Sequence, residues 1–170
     1  LLFSVVRIPS MKSLGISPDE GAWILSAQML GMLAGGILWG ILGDKRGRLS
    51  VLFGSILLYS LANIANGFVQ DIHTYGALRF LAGVGLAGEL GAGITLVSES
   101  MSKERRGYGT MIVASVGICG ALLAVAVAKT FDWRTAYFVG GGMGLALLLL
   151  RIGVYESGMF QQLKTRVVSR

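Results

Sequence analysis

Three stretches of this chain, residues 21–43, 49–70 and 107–128, contain no Asp, Glu, Lys or Arg, and each is long enough to cross a bilayer. A spanning helix needs about 20 mainly apolar residues, because the hydrocarbon core is about 30 Å thick and each helical residue rises about 1.5 Å. Residues 135–155 form a fourth run interrupted only by Arg151, and residues 72–98 a fifth interrupted by Arg79 and Glu89. In lipid every backbone N–H and C=O must be paired internally, so such runs fold as helices or as strands of a closed barrel. These runs do not alternate apolar and polar residues, which removes the barrel. Charged residues make up 14% of the chain, against about 25% for a soluble domain, so lipid is the solvent this surface suits.

The runs predict an all-α membrane protein with a short helix over 1–14 and five spanning helices over 18–43, 49–68, 74–100, 108–130 and 134–154. Residues 1–6 are too few to cross a membrane before Arg7 and Pro9, so the first helix is expected to be the tail of a truncated one. The second has a clear start. Ser17 can cap, Pro18 suits the first helical position and Glu20 completes a capping box, while Asp19 and Glu20 favour the positive dipole end. Small residues recur at spacing four, as Gly31 with Gly35, Gly36 with Gly40, and Ala87 with Gly91. Such spacing lets helix backbones approach where lipid removes the usual hydrophobic drive.

The formal net charge of +6 could suggest nucleic acid, but that footprint needs Lys and Arg gathered on one solvated face. Here they follow the spans. Lys45, Arg46 and Arg48, then Lys103, Arg105 and Arg106, then Arg151, Lys164, Arg166 and Arg170 fall on alternate loops or just inside them, whereas the opposite loops hold only Arg7, Lys12, Lys129 and Arg134. The positive-inside rule then predicts loops 43–49 and 101–107 and the C-terminal tail on the cytoplasmic side. The lone Cys119 permits no internal disulfide.

Between the first two long runs stands Gly40, three residues, Asp44, the basic Lys45, one residue, Gly47 and Arg48. This order resembles the signature loop between the second and third helices of major facilitator superfamily transporters, with Leu49 where a second basic residue is common. Gly47 permits a turn with positive φ, and Asp44 can cap or pair at a helix end. The resemblance implies that Asp44 and Arg48, with Gly40, Lys45 and Gly47, belong to a gate that holds the cytoplasmic side shut. Glu99, followed six residues later by Arg106-Gly107, resembles the end of the fourth helix in sugar and metabolite porters, where acid and arginine join the same charge network. Arg79, with Gly83 and Gly85 at the fourth and sixth places on, resembles the family's fourth-helix pattern. It implies a cavity-facing arginine for proton coupling or substrate binding, and glycines for helix packing.

Glu89 lies ten residues beyond Arg79, about 15 Å along a helix and about 80° round it. Desolvation disfavours the charged form of a carboxylate in mid-membrane, which suits Glu89 to take up a proton or meet a substrate. The bland alternatives are a snorkelling Arg79 and a Glu89 paired to another helix. Gly83-Val84-Gly85-Leu86-Ala87-Gly88 also satisfies a dinucleotide-binding fingerprint, with Glu104 near the ribose-binding position. It sits inside a spanning segment, though, not after a strand and at a helix start, so the match is accidental.

The resemblance therefore implies the N-terminal six-helix half of a transporter: a bundle over 1–156, incomplete at its first helix, and over 157–170 the start of a cytoplasmic loop to a missing C-terminal half. The expected function is secondary active transport of a small organic solute (an organic acid, sugar or related metabolite) by alternating access and proton symport. The helix 5 segment Gly117-Ile118-Cys119-Gly120-Ala121 lacks the proline of drug/proton antiporters, which favours uptake over drug export. Expected partners are the solute, protons, the bilayer and the missing half, with no nucleic acid and no cofactor. A transporter-like sensor without net transport is the alternative. A membrane enzyme is the weaker one, because His73 is the only histidine and no metal or nucleophile cluster is spaced for chemistry.

Overall fold

The computed structural model describes residues 2–103 and 105–168, and the side chains within residues 3–153 except those of Glu99, Ser100 and Glu104. Six helices follow one another: α1 Leu2–Leu14, α2 Pro18–Arg46, α3 Arg48–Asn66, α4 Ile72–Ser100, α5 Arg106–Thr130 and α6 Trp133–Val168. No strand occurs among the described residues. Helices α2 to α6 each have the length and hydropathy to cross a membrane, whereas α1 has 13 residues.

Local chemistry sets the ends. Gly15 takes a φ of 66° after α1, and the Ile16 N–H reaches back to the Met11 carbonyl at 2.9 Å, closing a Schellman turn. The capping box at α2 forms as the sequence predicts. The Ser17 N–H donates to Glu20 Oε2 at 2.8 Å, and the Glu20 N–H donates to Ser17 Oγ at 3.3 Å. Helix α4 starts two residues before the expected Thr74, because Asp71 caps it by accepting from the Thr74 N–H at 2.8 Å. That backbone hydrogen bond holds the Asp71 carboxyl below the usual carboxylate range. Its stabilising contribution is present above the ordinary carboxylate pKa and is lost as pH falls through the lowered native value.

Two expectations differ from the structure. Helix α2 continues past Gly43 through Asp44, Lys45 and Arg46, so the expected loop shrinks to Gly47, whose φ of 86° joins α2 to α3. Lys and Arg are good helix formers and complement the negative helix end, so the apolar pattern stops before the helix does. Likewise α6 runs on to Val168, so residues 157–168 are helical where a loop is expected.

Helix α4 is the centre of the bundle, packed on α2 and α3, while α3 also packs on α6. The contacts rest on missing side chains. A Cβ on Gly35 would stand 2.5 Å from the Val84 carbonyl oxygen, one on Gly85 would stand 2.6 Å from the Tyr59 nitrogen, and those on Gly31 and Gly83 would collide with the backbones of Phe80 and Gln28. The other small-residue pairs behave differently, since Gly36, Gly40 and Gly91 meet nothing within 4 Å. Trp39 uses the room left by Gly88 to donate from Nε1 to the Val84 carbonyl at 2.8 Å, tying α2 to α4. Helix α5 is the loosest member. Its Met111, Ile112, Val116, Ile118 and Leu122 all face outward, a surface that lipid can cover.

The packing makes a paired prediction. Gly35→Val should destabilise the purified protein in detergent by about 1–3 kcal/mol, the usual cost of overpacking, and lower its thermal midpoint. Gly36→Ala, one residue along, should leave the midpoint unchanged. Equal midpoints for both variants would contradict the α2–α4 contact.

Candidate functional site

The residues expected to matter fall into three places. At the Asp44 end, Asp44 and Arg48 are one helical turn apart across the Gly47 joint and form an ion pair at 3.5 Å, with the carboxylate side chain 75% exposed. Lys45 is exposed, and Gly40 lines a groove of about 230 Å³ with Trp39, Gly43, Arg48 and Ala87. Arg106 opens α5, and its Nε donates to the Met101 carbonyl at 3.4 Å within its own connection. Among the described residues Asp44 pairs with no cation but Arg48, and the Glu99 side chain lies outside the described residues. Gly83 and Gly85 lie against α2 and α3, as above.

Arg79 occupies the second place, in the interior of the bundle rather than on an open face, with 1% of its surface exposed. Its Nη2 donates to Asn63 Oδ1 at 2.7 Å, and its Cζ lies 5.0 Å from the ring centroids of both Phe3 and Tyr137. A desolvated guanidinium against an aromatic face gains about 2 kcal/mol or more, so α1, α3, α4 and α6 all meet on this one cation. A string of hydroxyls runs beside it. Ser10 Oγ donates to the Arg7 carbonyl at 2.9 Å, Tyr75 lies 2.9 Å from Ser10 Oγ, and Tyr137 lies 2.8 Å from Tyr75. The Ser10 proton is spent on a carbonyl that can only accept, so Tyr75 donates to Ser10 and Tyr137 donates to Tyr75. Arg79 Nε and Asn63 Nδ2 are buried without an acceptor among the described residues.

Glu89 marks the third place. It is half-buried and lines two cavities of about 360 and 340 Å³, both shared with Tyr59 of α3. The first is closed on one side by Arg151 of α6 and Val113 of α5, the second by Val127, Val139 and Met143. Arg151 and Glu89 line the first cavity together, but no ion pair joins them. Arg79 and Glu89 thus share α4 but face different surroundings. Sequence reasoning did not single out Asn63, Tyr75, Tyr137 and Tyr59. Asn63 and Asn66 are uncharged polar residues in an otherwise apolar run, which is a readable signal; the tyrosines carry none.

Replacing Asn63 with Leu removes the side-chain oxygen that accepts from a buried charge, and a hydrogen bond to a charged group contributes about 1.5–3 kcal/mol. Asn63→Leu should therefore lower the thermal midpoint markedly, and Asn63→Asp, which keeps an acceptor, should restore it. A midpoint unchanged in Asn63→Leu would show that Arg79 does not depend on α3.

A helical bundle with five spans, charged residues inside two of them and an Asp–Arg pair at the α2–α3 joint has clear relatives. The chain matches the model of the Major Facilitator Superfamily over residues 1–160. It is 35% identical over 144 residues to the niacin transporter of Acinetobacter baylyi, covering 82% of this chain and 33% of that one. It is 34% identical over 150 residues to the 3-(3-hydroxy-phenyl)propionate transporter of Escherichia coli K12, covering 81% of this chain and 35% of that one. To the benzoate transport protein of Acinetobacter baylyi it is 30% identical over 158 residues, covering 88% of this chain and 34% of that one. The chain thus spans about a third of the length of these relatives, which are transporters and not enzymes, in line with the sequence expectation. With a family match along nearly the whole bundle, this chain belongs to the major facilitator superfamily.

Proposed function

We propose that the full-length protein is a secondary active transporter that carries a small organic acid across the membrane by alternating access, together with a proton. The observation that carries this reading is Glu89, a carboxylate within a spanning helix, half-buried, lining two cavities and, among the described residues, joined to no cation by an ion pair. A charge at that depth costs at least about 2.5 kcal/mol and is retained for a solute or proton path. The similar proteins named for niacin, 3-(3-hydroxy-phenyl)propionate and benzoate support an organic acid over a sugar, since all three compounds are aromatic carboxylic acids. In such folds the solute sits between two halves that rock about it, and this bundle supplies one of them.

In this reading the roles divide by place. Glu89 carries the proton, and Arg79 holds four helices in register around the path. The joint made by Gly40, Asp44, Lys45, Gly47 and Arg48, with Glu99 near the end of α4 and Arg106 at the start of α5, faces the cytoplasm from the inner membrane. There it closes against the other half of the transporter. The residues around Asp44 suit that task because their ion pair is exposed and weak, so it can be exchanged for a partner at little cost.

The test is uptake of benzoate and nicotinate by full-length protein in proteoliposomes under an imposed inward proton gradient. Uptake should follow the gradient, collapse with a protonophore, and lose its proton dependence in Glu89→Gln; uptake indifferent to the gradient in the wild type would remove the symport. A second measurement addresses the gate. Asp44→Asn should change stability by less than about 1 kcal/mol, as exposed pairs do, while slowing uptake at least about tenfold. A variant that transports at the wild-type rate would make the Asp44 joint a plain turn.

A further inference from the structure

The α6 span, Trp133–Gly153, holds two cations, Arg134 in its first turn and Arg151 far along it, and the position of Arg151 in the bundle is unlike that of a loop charge. It is half-buried and lines the same cavity of about 360 Å³ as Glu89 and Tyr59. The remaining walls come from apolar side chains, with Leu52 from α3, Leu86 from α4 and Val113 from α5 among them. A cavity of this size with apolar walls and a few converging polar groups has the usual make-up of a small-molecule site. Its acid and base stand on different helices, α4 and α6, with no ion pair between them. The second cavity beside Glu89 has no lining cation, so a ligand anion would be drawn to the Arg151 side.

We propose that Arg151 receives the carboxylate of the transported acid, in the cavity it shares with Glu89, and that Glu89 takes up one proton for each carboxylate bound. This deepens the symport reading above and rests on it. The charge count supplies the coupling. Empty, the cavity holds Arg151 positive and Glu89 negative and is neutral. A carboxylate arriving beside ionised Glu89 would leave a net negative charge in a low-dielectric space, which is costly. A proton moving from water to Glu89 restores neutrality, so the loaded site again carries no net charge and no covalent bond changes. The other titratable group lining the cavity among the described residues is Tyr59 on α3, whose hydroxyl can donate to the same carboxylate; α5 contributes Val113. The leucine and valine walls suit the flat apolar body of an aromatic monocarboxylate.

The experiment is equilibrium binding of benzoate to purified full-length protein at acidic and alkaline pH, with benzamide as the uncharged control. Wild type should bind benzoate more tightly at acidic pH and benzamide weakly at both. Arg151→Gln should lose at least about tenfold in benzoate affinity, the scale of one hydrogen bond to a charged group, and Arg151→Lys should recover most of it. Glu89→Gln should bind benzoate as tightly at alkaline as at acidic pH. Should Arg151→Gln be recovered only as aggregate, the Lys variant and the pH response of Glu89→Gln decide. Wild-type affinity in Arg151→Gln, or no gain from Arg151→Lys over Gln, would overturn the assignment while leaving proton-driven uptake standing. If the wild-type protein neither binds nor carries benzoate or nicotinate, the organic-acid reading falls and this assignment falls with it.

Discussion

The bundle depends on how closely three helix backbones approach around α4. Lipid is as apolar as a leucine side chain, so no hydrophobic force drives helices together within it, and packing contact with backbone proximity must serve instead. Gly31, Gly35 and Gly83 bring α2 against α4, and Gly85 brings α3 against it from the other side. With α4 clamped, its rotation is fixed, and so is the direction of everything it carries. Arg79 is turned toward α1, α3 and α6, while Glu89 is turned toward α3, α5 and α6. The glycines do no chemistry, yet they decide which charge is locked and which is left in open space.

That contrast organises the molecule. Arg79 has a hydrogen-bond acceptor and two aromatic faces, and among the described residues none of its contacts is to an acid. Glu89 and Arg151 lie in a looser region, where α5 makes few close contacts and the cavities open. Close anchoring around Arg79 and free space around Glu89 thus stand side by side on one helix. The joint at Gly47 continues the pattern, since only one residue separates two long helices.

How much of this the sequence shows depends on whether the signal lies within one element. The spans are legible because charge-free length is a one-dimensional property, and the α2 start is legible because a capping box is written in four consecutive residues. The positive φ at Gly47 is likewise local. The end of α2 is not, because the apolar run stops at Gly43 while Asp44, Lys45 and Arg46 remain helical in water. The environment of Arg79 is less legible still. Spacing along α4 suggests a functional arginine, but Phe3, Asn63 and Tyr137 come from three other helices, and a helix bathed in lipid has no polar face to show which way it turns. Gly36 and Gly40 share the spacing of Gly31 and Gly35 yet touch nothing. Spacing marks where backbones can approach, and rotation decides where they do.

The hydroxyls of Ser10, Tyr75 and Tyr137 answer how a guanidinium can be buried without a carboxylate. Each O–H in the string points the same way, toward the Arg7 carbonyl, so the three bonds add as an oriented row of dipoles. The positive ends lie toward α1, and the negative end is the Tyr137 oxygen, on the ring that lies against Arg79. The ring that lies against the cation thus carries the negative end of a row made of neutral groups alone. Neutral hydroxyls and aromatic faces offer no carboxylate to protonate, so the contacts that hold Arg79 do not depend on the acidity of either side of the membrane.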